Sequence, residues 1–185
     1  MKKLTLVFIT MFAIASMATA QKYVTKNGKI SFYSDGPLEK IEAHNSQVNS
    51  AINTETGQLA FKVLMKSFIF EKALMQEHFN ENYVESDKFP NATFRGKITN
   101  AQKIDFTVNG SYEADIEGEL TIHGITQKVS EKGTFTVSND GIKGDSKFFV
   151  KIADYDISIP GAVTGKIAEE IEITVNVMLK PLGAL

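Results

Sequence analysis

The chain has 185 residues, 43% of them hydrophobic, with 20 basic and 22 acidic side chains and no cysteine. That length suits one domain able to build its own core, and the missing cysteines rule out both disulfides and a thiol nucleophile. A net charge of −2 leaves no electrostatic footprint for nucleic acid and no basic patch for an anionic membrane surface.

Lys2 and Lys3 open the chain, Leu4 to Ala15 is an almost unbroken apolar run, and Ala18-Thr19-Ala20 follows. This charged, apolar, small-residue layout predicts a secretory signal peptide cleaved after Ala20. The run is too short to cross a bilayer, so no stable membrane anchor is expected. Without cysteine the mature chain is not a lipid-modified lipoprotein. The expectation is a periplasmic protein of residues 21–185. Losing Lys2 and Lys3 leaves 18 basic against 22 acidic side chains, a formal charge of −4.

Beyond residue 20 there is no repeat, low-complexity stretch or linker, and period-two alternation dominates, as in strands with one buried face. Ile30 and Phe32 suggest a short strand, and Ile41 to Ala43 another. Gln47 to Asn53 and Gln58 to Met65 flank Thr54-Glu55-Thr56-Gly57, a hairpin turn, with Leu59, Phe61, Val63 and Met65 on one face. From Glu71 to Val84, Leu74, Met75, His78, Phe79, Asn82 and Tyr83 recur at helical spacing, predicting an amphipathic helix of about three turns. Ala92, Phe94 and Ile98 mark a strand after Pro90. The alternation is cleanest later, in Ala114-to-Ile122, Phe135 and Val137, Phe148-to-Ile152, and Ile171-to-Leu179. Asn139-Asp140-Gly141 is hairpin chemistry. Pro160, Gly161 and Gly165 make the stretch between Asp154 and Ala168 a loop. Seven or eight antiparallel strands and one helix fit a closed barrel or a sandwich, and periodicity alone leaves both open.

Catalytic signatures are sparse. His44, His78 and His123 are scattered and match no zinc-binding spacing. Glu71, Glu77, Glu81 and Asp87 surround the helix, where acids are usually solvated. Gly161-Ala162-Val163-Thr164-Gly165-Lys166 is one residue short of a phosphate loop, and Ile167 replaces the magnesium-binding hydroxyl. No G-x-S-x-G is present. Two Asn-x-Ser/Thr matches, at Asn91 and Asn109, are read as chance occurrences. The aromatic content stands out instead: Phe61, Phe68, Phe70, Phe79, Phe89 and Phe94 crowd around the helix. Such side chains pack a core or line a cavity, and an eight-stranded barrel has room for one small ligand.

Two stretches resemble the YceI-like domain family. Phe89-Pro90-Asn91-Ala92-Thr93-Phe94 is similar to its aromatic-Pro approach to a central strand. Gly118-Glu119-Leu120-Thr121-Ile122-His123-Gly124-Ile125-Thr126-Gln127-Lys128-Val129 is similar to its G-x-L-T-x-H-G-V-T-x-x-V strand–turn–strand. The sequence departs from the family before the helix, where Lys66 to Lys72 replaces a Ser-x-x-x-Thr stretch. The resemblance implies an all-β, eight-stranded antiparallel, lipocalin-like barrel with one short amphipathic helix. It also implies an apolar lipid ligand in the lumen: a polyisoprenoid, an isoprenoid quinone or a fatty-acid derivative. No catalytic set and no cofactor come with it.

On this basis the lumen is expected to be lined by Phe61, Val63, Phe70, Leu74, Phe79, Phe94, Leu120, Ile122 and Phe148, with the helix near the entrance. A homodimer stays open. Two other classes stand beside this reading. A stress-related interaction protein would have the same barrel with a filled core, and a metal-dependent enzyme would need His44, His78 or His123 to converge.

Overall fold

The computed structural model of the protein describes residues 22–183, so the expected signal peptide and its cleavage site lie outside the described residues. The strands are β1 (Lys22–Asp35), β2 (Lys40–Asn53), β3 (Gln58–Leu64), β4 (Ile69–Phe70), β5 (Asn91–Ile98), β6 (Gly110–Ile122), β7 (Ile125–Ser138), β8 (Gly141–Lys151) and β9 (Glu170–Pro181). All pair antiparallel in the order β1-β9-β8-β7-β6-β5-β3-β2, and β1 pairs β2 to close the ring. The two-residue β4 adds to β2 at Ala43 and His44. The result is the expected eight-stranded barrel, in which closure leaves the long strands no open edge.

The first half differs from its sequence-based outline. Ile30 and Phe32 belong to a 14-residue strand, and Ile41–Ala43 and Gln47–Asn53 are two ends of another. The alternation is hidden for two reasons. Asn45 takes an inward position at 1% exposure; its amide donates to the Leu64 carbonyl at 2.9 Å and its Oδ1 accepts from the Gln47 N–H at 2.9 Å. Opposite it, β1 carries register shifts between Thr25 and Gly28 and between Gly28 and Ile30, and such bulges break the period.

The predicted helix is also shorter. Helix α1 covers Ala73–His78 and continues as a π-wound turn over Phe79–Tyr83. Its N-cap position is Lys72, which offers no side-chain cap, so little favours an earlier start. Between Asp154 and Ala168 the chain is a loop with short 3₁₀ turns, as expected.

Glycine sets how closely two central strands approach. Gly96 on β5 faces Gly118 on β6. A Cβ on Gly118 would lie 2.6 Å from the Gly96 Cα and 2.7 Å from the Phe94 ring. The Phe94 side chain therefore lies over this glycine pair.

Two buried clusters fill the barrel ends. One gathers Ile52, Leu59, Ile98, Phe135, Ile142, Val177 and Leu179. The other gathers Val48, Val63, Met65, Phe68, Phe70 and Val84, with Met75 and Phe79 from the helical segment packed on it. The β7–β8 ladder stops at Gly133 and Ser146. There the Ser146 hydroxyl donates to the Lys132 carbonyl at 2.6 Å. Beyond this point the 3₁₀ turn Ile152–Tyr155 packs beside β7, and the Gln127 amide donates to the Asp154 carbonyl at 2.7 Å.

Candidate functional site

A cavity of about 520 Å³ lies inside the barrel, its wall overwhelmingly apolar. That volume falls within the ~300–1,000 Å³ range of small-molecule sites. All nine side chains expected at the lumen line it: Phe61, Val63, Phe70, Leu74, Phe79, Phe94, Leu120, Ile122 and Phe148. Strand alternation explains most of them. Phe94 pairs Leu120 across β5 and β6, and Phe61 pairs Phe94 across β3 and β5. The Phe61 and Phe94 rings meet edge-on with centroids 6.3 Å apart. Leu74 is different, being 61% exposed on α1, at the cavity's outer rim.

The wall also contains residues that the sequence reading did not select. Phe32 joins Phe68, Phe70 and Phe79 in an aromatic group with centroids 5.1–5.7 Å apart. Ile173 and Val175 contribute from β9, and Glu131 and Tyr155 from the β7 side. The β9 pair was visible as an alternating face. Glu131 was not, because it sits between Ser130 and Lys132 in a run that reads as solvent-facing.

Polar side chains cluster at the rim. Glu39, Lys72, His78 and Lys166 border the cavity. The Lys72 ammonium donates to Glu39 at 3.0 Å, and this bond raises the Lys72 pKa above its ordinary value. It ties the start of α1 to the segment joining β1 and β2.

His123 and Gly124 form the two-residue turn between β6 and β7, with φ of 51° and 76°. Positive φ at both positions is the type I′ pattern that suits a tight hairpin. A Cβ on Gly124 would lie 2.5 Å from the Phe89 ring, so glycine is required there twice over. The His123 Nε2 lies 2.8 Å from the Glu85 carboxylate and its Nδ1 lies 3.1 Å from the Tyr155 carbonyl. Phe89 packs edge-on against the imidazole with centroids 4.7 Å apart. His123 thus clasps three segments at this end of the barrel. His44 stands on β2 and His78 on α1. Among the described residues no three His, Cys, Asp or Glu side chains come together in a way that would hold a metal ion.

A closed antiparallel barrel around one apolar lumen, with a helical segment at its rim, defines a lipocalin-like class of protein. The profile of the YceI-like domain matches residues 16–179, and the chain belongs to that family. No curated protein matches it in sequence. Its fold is similar to a polyisoprenoid-binding domain from Saccharophagus degradans, implicated in plant cell wall breakdown, with a TM-score of 0.76 at 13% identity over 88% of this chain and 99% of that one. Burkholderia cenocepacia BcnA gives 0.64 at 16% identity over 83% and 96%. The Campylobacter jejuni YceI protein gives 0.52 at 13% identity over 98% and 99%.

Proposed function

We propose that this protein is a periplasmic binding or carrier protein that holds one long apolar lipid in its barrel lumen and performs no catalysis. The cavity carries this reading. It is preformed and apolar over nearly all of its wall, which matches a molecule that is hydrocarbon over most of its length. Each buried methylene contributes about 0.8 kcal/mol, so ten give about 8 kcal/mol, near that of a micromolar complex before ordering costs. A polyisoprenoid, an isoprenoid quinone or a fatty-acid derivative fits that description. The similarity to a polyisoprenoid-binding domain supports the same choice. Export follows from the Lys2-to-Ala20 pattern, and no helix among the described residues is long and apolar enough to cross a membrane.

The filled-core alternative finds less support, because the Phe32, Phe68, Phe70 and Phe79 group closes one end and leaves the middle of the barrel open. The nine lumen residues are proposed as ligand contacts, with Phe94 and Leu120 central. Leu120→Trp should fill the space beside Phe94 and lower lipid uptake at least tenfold while the far-UV signature of the barrel persists. Unchanged lipid occupancy in the folded variant would remove Leu120 and its neighbours from the site.

A further inference from the structure

One stretch of the lumen wall is polar, and its groups are left without partners. Glu131 shares one face of β7 with Val129 and Gly133, and its Cα pairs with Ile116 on β6. Val129, Ile116 and Glu131 all line the cavity. Its neighbours Ser130 and Lys132 are exposed, whereas Glu131 is half-buried. Among the described residues none donates a hydrogen bond to its carboxyl and none forms an ion pair with it. Tyr155 lines the same cavity from the 3₁₀ turn that fills the gap beyond the β7–β8 ladder, and it is only 3% exposed. Its hydroxyl has no hydrogen-bond partner among the described residues either, and a tyrosine hydroxyl in an apolar setting calls for one. Burial pushes the Glu131 carboxyl up. Burial first, then the charges of Asp154 and Glu131, pushes the Tyr155 phenol up to about 12, so it stays a neutral donor.

We infer that Glu131 and Tyr155 form a polar subsite inside the lumen that receives the neutral hydrogen-bonding head of the lipid, a hydroxyl or a primary amide, with the chain lying along the apolar wall. The inference rests on the lumen being the ligand site. An isolated carboxyl and an isolated phenol facing hydrocarbon would each cost free energy. A head carrying both an O–H or N–H and an oxygen satisfies the two together: it donates to Glu131 and accepts from Tyr155. A carboxylate or phosphate head would place like charges side by side in a poorly solvated space. Such a head is excluded from this subsite. Of the lipid classes open to the lumen, the pair therefore selects neutral donors over free acids.

The test compares hexadecanol, hexadecanamide and hexadecanoate, which share one chain length, in equilibrium binding to the delipidated full chain at neutral pH. The alcohol and the amide should bind about tenfold or more tighter than the acid. Glu131→Gln should bring acid and alcohol within about threefold, by strengthening the acid. Tyr155→Phe, which keeps the ring and its packing, should weaken the alcohol several-fold and leave the acid unchanged. The Tyr155 variant decides the matter should the Glu131 variant fail to fold. Equal binding of all three lipids by the wild type, or an alcohol preference untouched by the substitutions, would overturn this subsite and leave the lumen reading standing. No binding of any of the three would overturn the lumen reading, and the subsite with it.

Discussion

His123 shows how a single side chain in this barrel can be structural where sequence alone offers chemistry. Its ring joins the β6–β7 turn to Glu85 and to the backbone of Tyr155, and the side chain is 11% exposed. The Glu85 carboxyl is held below its ordinary value of 4.5 chiefly by the His123 hydrogen bond, which outweighs burial, with Lys88 adding to the lowering. Because the folded value lies below the unfolded one, the stability this carboxyl contributes is complete above that ordinary value. It is lost as pH falls through the depressed folded value. His123→Ala should therefore melt at a lower temperature at pH 7 and lose less stability than the wild type on acidification to pH 3. Parallel pH profiles for the two proteins would contradict the clasp. The His-Gly pair was legible as a turn from its neighbours. Its partners were not, since Glu85 lies 38 residues away in sequence and only the fold brings it there. Glu131 was illegible for a similar reason: local alternation in Val129-Ser130-Glu131-Lys132 does not distinguish a lumen carboxylate from a solvated one. Only its pairing with Ile116 does so.

Among the elements, the helical segment stands at the rim of the cavity, and the proposed function makes it the gate. Periodicity finds Leu74, Met75, His78 and Phe79 on one side but cannot separate α winding from π winding, so an expected three-turn helix becomes α1 and a π turn. The Asn80 amide donates back to the Gln76 carbonyl at 2.8 Å across that junction. Phe79 fastens the segment to the barrel, its ring 5.1, 5.5 and 5.7 Å from those of Phe70, Phe32 and Phe68. Phe79→Ala should cost roughly 1–3 kcal/mol, less than the ~3–5 of a fully buried phenylalanine. It should also speed lipid release and amide exchange over residues 73–83. A release rate equal to that of the wild type would show that the segment does not gate the lumen. The strands divide more sharply. β6 to β9 were readable because each keeps one wet face and one dry face. β1 and β2 were fragmented because a buried asparagine and two register shifts interrupt the pattern.

For the molecule as a whole, closure of the ring by β1 and β2 brings seven strand side chains and two from the helical segment into one continuous wall. The sequence pattern could supply the alternation but not the choice between barrel and sandwich. That choice depends on pairing between residues more than a hundred positions apart, such as Phe32 with Ile173. The proposed function requires that this wall hold a lipid. It is tested most directly by native mass spectrometry of the protein purified gently from the periplasm of its own host, followed by organic extraction. The expected mass is that of residues 21–185 plus a stoichiometric excess that extracts as one long-chain apolar species. A bare mass, with no extractable lipid and no uptake when lipid is offered to the folded protein, would contradict it.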